Sequence, residues 1–150
     1  MILRPPGTQV VAVTTPEGSP SHIEVSADGK WLIGLLVGSS TAQIVKINLG
    51  GMSVIPLVSL GSWTGNERPA FSPHAEHFSY TLRSRMVKGI PEETLMADGR
   101  LLYSCPGVID YRWLDEQNIA AACQENILLL DAGTGKVLSE HGISAAMPPR

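Results

Sequence analysis

The sequence predicts an all-β fold of about three repeated units, each a small sheet of four short strands. Three observations carry this reading. Fifteen glycines and eleven prolines are spread through 150 residues; an interior Gly weakens a helix by about 1 kcal/mol and an interior Pro by about 3 kcal/mol, so they act as punctuation between short segments. The segments between them are short apolar runs of strand chemistry. One layout then occurs three times: a short strand, a polar turn, an apolar strand, and two further strands.

The first unit opens with His22-Ile23-Glu24-Val25, turns at Ser26-Ala27-Asp28-Gly29-Lys30 and continues as Trp31 to Val37, Gln43 to Asn48 and Ser53 to Val58. The second has Pro69-Ala70-Phe71, a turn over 72–76, His77 to Leu82, Thr94 to Ala97, the turn Asp98-Gly99, and Arg100 to Ser104. The third has Ile109 to Leu114, a turn over 115–118, Ile119 to Cys123, Asn126 to Asp131, a turn over 132–135, and Lys136 to Ser139. Ser26, Ser72 and Leu114 mark equivalent points 46 and 42 residues apart, the period of four-stranded propeller blades. The chain is thus one domain, 1–150, with repeats at about 20–60, 66–105 and 107–141, an additional N-terminal strand at 8–14 and a C-terminal tail at 142–150.

Strand chemistry sets the expected burial. Trp31 to Val37 and Ile119 to Cys123 are nearly continuous apolar runs, as in strands covered on both faces. His77 to Leu82 alternates, with Phe78, Tyr80 and Leu82 on one side, and predicts a half-exposed strand. Two local helices compete with this scheme: 91–99, with a proline in the first turn and a glycine at the end, and 115–124, with Asp115 as a cap.

Ser26-Ala27-Asp28-Gly29-Lys30-Trp31-Leu32 and Ala70-Phe71-Ser72-Pro73 resemble the Ser-Pro-Asp-Gly-Lys core of WD40-like repeats, as in the propeller of the TolB family. Leu130 to Leu138 resembles the turn between the third and fourth strands of a WD40 blade. The resemblance covers residues 20–140 and implies a propeller at the level of the superfamily. Repeat two departs from the pattern with His74-Ala75 in place of Asp-Gly, repeat three has Asp115-Glu116-Gln117, and no repeat carries the full Gly-His and Trp-Asp signature.

Closed propellers have about four to eight blades. Three blades leave apolar faces uncovered at the ends, and a few hundred Å² of such surface corresponds to several kcal/mol at about 25 cal/mol per Å². The expected solution is a homodimer that completes a six-bladed ring, with the strand at 8–14 available at the seam; the competing one is a larger propeller completed by another chain.

The composition, 43% hydrophobic and 17% charged with a net charge of −3, excludes a disordered chain and gives no general attraction to nucleic acid or anionic membrane. No secretory-type apolar run opens the chain, and no stretch is long enough to span a bilayer. Cys105 and Cys123, in no metal-type spacing, are expected as buried free thiols, with a disulfide as the alternative. A cytoplasmic location follows as the default.

No cofactor or metal motif is complete. Gly133-Thr134-Gly135-Lys136 lacks the earlier glycine and the following Ser/Thr of a phosphate loop, and Gly61 to Gly65 has Trp63 where a nucleophilic serine would stand. His74-Ala75-Glu76-His77 has its histidines three apart beside Pro73, not at the helical spacing of a zinc protease. The loop between repeats one and two supplies the candidate binding residues Trp63, Asn66, Glu67 and Arg68, types that include binding hot spots. A binding or scaffolding module for a protein or small ligand is therefore the leading expectation. A hydrolase or lyase using His74, Glu76, His77 and Arg68, and an accessory domain of a larger assembly such as a peptidase, are the alternatives.

Overall fold

Tight polar turns control the topology, because each reverses the chain after one short strand and delivers the next strand to its neighbour. The computed structural model describes residues 2–3, 11–12, 19–38, 41–51, 53–60 and 68–142. Blade 1 comprises β3 (Ser19–Val25), β4 (Trp31–Val37), β5 (Ala42–Asn48) and β6 (Val54–Leu60), preceded by the paired β1 (Ile2–Leu3) and β2 (Val11–Ala12). Blade 2 comprises β7 (Ala70–Phe71), β8 (Phe78–Val87), β9 (Ile90–Ala97) and β10 (Arg100–Pro106). Blade 3 comprises β11 (Ile109–Trp113), β12 (Asn118–Cys123), β13 (Asn126–Asp131) and β14 (Val137–Gly142). Within each blade every strand pairs antiparallel with the next in sequence.

The competing helices do not form: β9 and β12 occupy their places. For β9 the reason lies in its flanks. Lys88-Gly89 and Asp98-Gly99 all have positive φ, between 50° and 78°, the two-residue hairpin geometry that matches strand twist. A strand bracketed by two such turns is drawn into the ladder on both edges. Of the N-terminal strand expected at 8–14, Val11–Ala12 is a strand and the rest lies outside the described residues, as does the tail from 143.

Two seams join the blades. At the first, Ile33, Leu35 and Ile44 of blade 1 pack with Phe71, Phe78, Tyr80, Leu82 and Met96 of blade 2. At the second, Leu95, Ala97, Leu102 and Cys105 of blade 2 pack with Tyr111, Ile119, Ala121, Leu128 and Leu130 of blade 3. The half-exposed expectation for the second strand of repeat two is therefore corrected: Ser79 and Thr81 are both 0% exposed, since their small side chains face blade 3. The free-thiol expectation is corrected too, because Cys105 on β10 and Cys123 on β12 form a disulfide across the second seam, with Cα atoms 5.8 Å apart. Strand alternation turns both side chains into the seam, a meeting that their spacing in sequence does not reveal.

The two end faces differ. On the face of blade 1 turned from blade 2, Leu32, Leu36, Val45 and Ile47 form a separate buried cluster, while Ile23 and Val25 on β3 stay exposed. On the outer face of blade 3, Ala122 and Ile127 are exposed and Ala120 and Leu129 half-buried.

Blades 2 and 3 approach closely at Gly135, whose φ is +77° and where an added Cβ would lie 2.6 Å from the Leu102 carbonyl oxygen. Gly99 has nearly the same φ with nothing within 4 Å. Gly99→Ala should cost about 1 kcal/mol from backbone conformation alone, and Gly135→Ala a further ~1–3 kcal/mol from overpacking. Urea denaturation of both variants checks this, and equal losses would show that the close approach carries no weight.

Candidate functional site

Each blade is a meander, so its first strand has one edge without a partner strand: β3, β7 and β11. These strands and the turns that follow them line a common concavity of about 690 Å³. Strand alternation places His22 and Glu24 in its wall from blade 1, and Asp110 and Arg112 from blade 3; Arg68 enters just before β7. The wall thus carries both signs of charge beside the rings of Phe71, Tyr111 and Trp113.

A hydrogen-bonded floor holds these groups in place. The Tyr111 hydroxyl donates to the Arg68 carbonyl at 3.1 Å and lies 2.8 Å from Ser79 Oγ. Trp113 Nε1 donates to the same Ser79 Oγ at 2.8 Å. Arg68 Nη2 donates to the Ile109 carbonyl at 2.8 Å, so Arg68 is tied to blade 3 through both backbone and side chain. Burial pushes the Tyr111 hydroxyl far above the ordinary tyrosine value, and it remains a neutral donor. Arg112 Nη1 donates to Asp110 Oδ1 at 3.2 Å and to the Tyr111 carbonyl at 2.7 Å, and both charged side chains are well exposed. Beneath Ile109, the buried Glu93 accepts that residue's N–H at 3.2 Å and faces Arg83 at 3.7 Å.

The turns beside the concavity show how the repeats diverge. In blade 1 Ser26 Oγ accepts the Trp31 N–H at 3.0 Å and donates to Asp28 Oδ1 at 2.6 Å. In blade 2 Ser72 Oγ likewise accepts the His77 N–H, at 2.9 Å. Its turn has His74 where blade 1 has Asp28, and the carboxylate comes instead from Glu116 of blade 3, which accepts from Ser72 Oγ and from the His74 N–H. Ala75, at the position of Gly29, holds a φ of 58°, and its carbonyl accepts from Lys46 Nζ of blade 1 at 3.2 Å. Asp28 is held below the ordinary carboxylate value chiefly by Ser26, Asp115 by Asn118 and Asp131 by Thr134.

Solved structures share the fold of these blades. The β-propeller domain of the Trilobed protease from Pyrococcus furiosus superposes with a TM-score of 0.60 at 12% identity, over 87% of this chain and 44% of its own. The fold is a partial β-propeller. TolB from Acinetobacter baumannii gives a TM-score of 0.60 at 18% identity, over 87% of this chain and 34% of its own. An acylaminoacyl peptidase from Pyrococcus horikoshii gives 0.58 at 13% identity, over 89% and 27%. The chain thus spans less than half the length of these propeller proteins. No protein-family model matches it, and no curated protein matches it.

Within the propeller the residues expected at a site fall in different places. Trp63, Asn66 and Glu67 lie outside the described residues, and Arg68 is in the axial concavity. The His74 side chain lines a smaller hollow with Pro73 and 114–117. His77 Nδ1 lies 2.7 Å from Asp98 Oδ2, and its ring stacks on Trp113 with centroids 6.1 Å apart. Glu76, His77 and Glu116 bring donor atoms within 4.8 Å of one another, but the Glu116 carboxylate already serves the blade 2 turn. His22, Glu24, Asp110 and Arg112 were not singled out as site residues in the sequence. The charged i, i+2 pairs on the first strand of repeats one and three were their only signal.

The carboxylate exchange is testable. Glu116→Ala should cost about 1–2 kcal/mol, because the His74 N–H loses its acceptor and Ser72 its carboxylate. His74→Asp in that background should restore most of the loss, since it rebuilds the Ser26–Asp28 pattern within one turn. Denaturant midpoints of the single and double variants read this, and additive effects would contradict the equivalence.

Proposed function

We propose that this chain is a binding module of propeller type, which engages a protein segment or small ligand at the axial concavity. The observation that carries the reading is the convergence of Glu24, Arg68, Asp110 and Arg112 from all three blades on one hollow of about 690 Å³. That volume falls in the range of small-ligand sites. Charges of both signs beside Trp113 suit a ligand with its own mixed polarity, and the Ser79–Tyr111–Trp113 floor holds the wall still, which lowers the ordering cost of binding. An NMR titration with a library of short zwitterionic peptides tests it. Shifts should gather on β3, β7 and β11, and Arg112→Glu and Glu24→Lys should each weaken binding tenfold or more, with Arg100→Ala unchanged. Shifts confined to β6, β10 and β14 would sink the reading.

We also propose that the concavity works as part of a completed ring. The matched propellers are about twice as long as this chain or longer, and exposed apolar side chains stand at both ends: Ile23 and Val25 on blade 1, Ile127 on blade 3. A second copy, or a further chain as in an accessory domain, would supply the missing inner strands. Static light scattering separates the two: twice the chain's mass at micromolar concentration supports the homodimer, and a stable monomer removes it.

A further inference from the structure

We infer that this chain folds in an oxidising compartment, where the Cys105–Cys123 bridge forms across the seam between blades 2 and 3 and fastens the terminal blade. Disulfides persist in oxidising compartments and are rare where glutathione and thioredoxin keep thiols reduced. Cysteines that sense redox state in a reducing cell are exposed and reactive. Here Cys105 is 0% exposed and Cys123 6%, so the bridge is placed as a structural staple.

Its position ties an end blade to the middle one. The first seam joins large side chains on both sides: Ile33, Leu35 and Ile44 against Phe78, Tyr80 and Leu82. At the second seam blade 2 contributes Leu95, Ala97, Leu102 and Cys105 together with the buried polar side chains of Ser79, Thr81 and Glu93. Among the described residues blade 3 has a neighbouring blade on one side, and its outer face leaves Ile127 exposed. A covalent tie between β10 and β12 joins residues 18 apart, narrows the unfolded ensemble and fastens the end blade to its neighbour. In forming it the two thiols lose two protons and two electrons, and an oxidant of the protein-disulfide class takes up both electrons as its own disulfide becomes a dithiol. The cytoplasmic expectation rested partly on unpaired thiols, and the paired state removes that support.

Intact-mass analysis of the full chain, purified from its native organism with acid quenching and denatured in maleimide, tests the inference. No maleimide should add before reduction and two should add after it. Two additions before reduction would overturn the proposal. On the oxidised protein, dithiothreitol should lower the melting temperature by roughly 6–12 °C. A Cys105→Ser/Cys123→Ala variant should melt at the reduced protein's temperature and lose its response to dithiothreitol. An oxidised protein whose melting temperature ignores dithiothreitol would overturn the fastening role.

Discussion

A four-stranded sheet with apolar side chains on both faces has to be covered twice, and this requirement organises the molecule. β4 shows it most directly: Leu32 and Leu36 belong to one buried cluster and Ile33 and Leu35 to another, on opposite sides of a single strand. No isolated blade can satisfy both sides, so blades stack, and each seam becomes a core of its own. The middle blade gains most, with a neighbour on each face. The end blades are left with the residual problem that ring closure solves in longer propellers.

The seams are solved with different chemistry. Between blades 1 and 2, large aliphatic and aromatic side chains interlock, and Lys46 reaches the Ala75 carbonyl while its ammonium lies 4.1 Å from the Trp31 ring centroid. Between blades 2 and 3, small residues let the sheets approach closely, a hydroxyl-centred network ties Tyr111 and Trp113 to Ser79, and a disulfide closes the outer part. Buried polar groups are tolerable there because they have partners: Ser79 Oγ accepts from Trp113 Nε1 and shares a hydrogen bond with the Tyr111 hydroxyl, and Glu93 has an N–H and a guanidinium. The network that secures the seam also forms the floor of the axial concavity, so the stability of blade 3 and the shape of the candidate site are one problem.

The repeat turns show how divergence is absorbed. A Ser-x-Asp-Gly turn is self-contained, since the aspartate accepts from its own serine. Once the second repeat carries His74-Ala75, the carboxylate has to arrive from elsewhere, and Glu116 supplies it from the adjacent blade. An intrablade bond has become an interblade one, and local chemistry has turned into a contribution to assembly. Fold and chemistry are separable: similar blades occur in the propeller of a protease and in a peptidase, so the blades alone assign no activity.

Much of the architecture was legible because strands and turns are local. The 46- and 42-residue spacing of Ser26, Ser72 and Leu114, the Asp98-Gly99 hairpin and the doubly apolar run at Trp31 to Val37 depend only on neighbours in sequence. Alternation misled where it stood in for burial: Ser79 and Thr81 read as a wet face and are sealed, with the Ser79 hydroxyl partnered by Tyr111 and Trp113 of the next blade. The pairing of Cys105 with Cys123, the service of Glu116 to Ser72 and the gathering of Glu24, Arg68, Asp110 and Arg112 were decided by tertiary structure alone. Each joins residues from different blades, and the register between blades is set by side-chain packing across a seam, which no local pattern encodes.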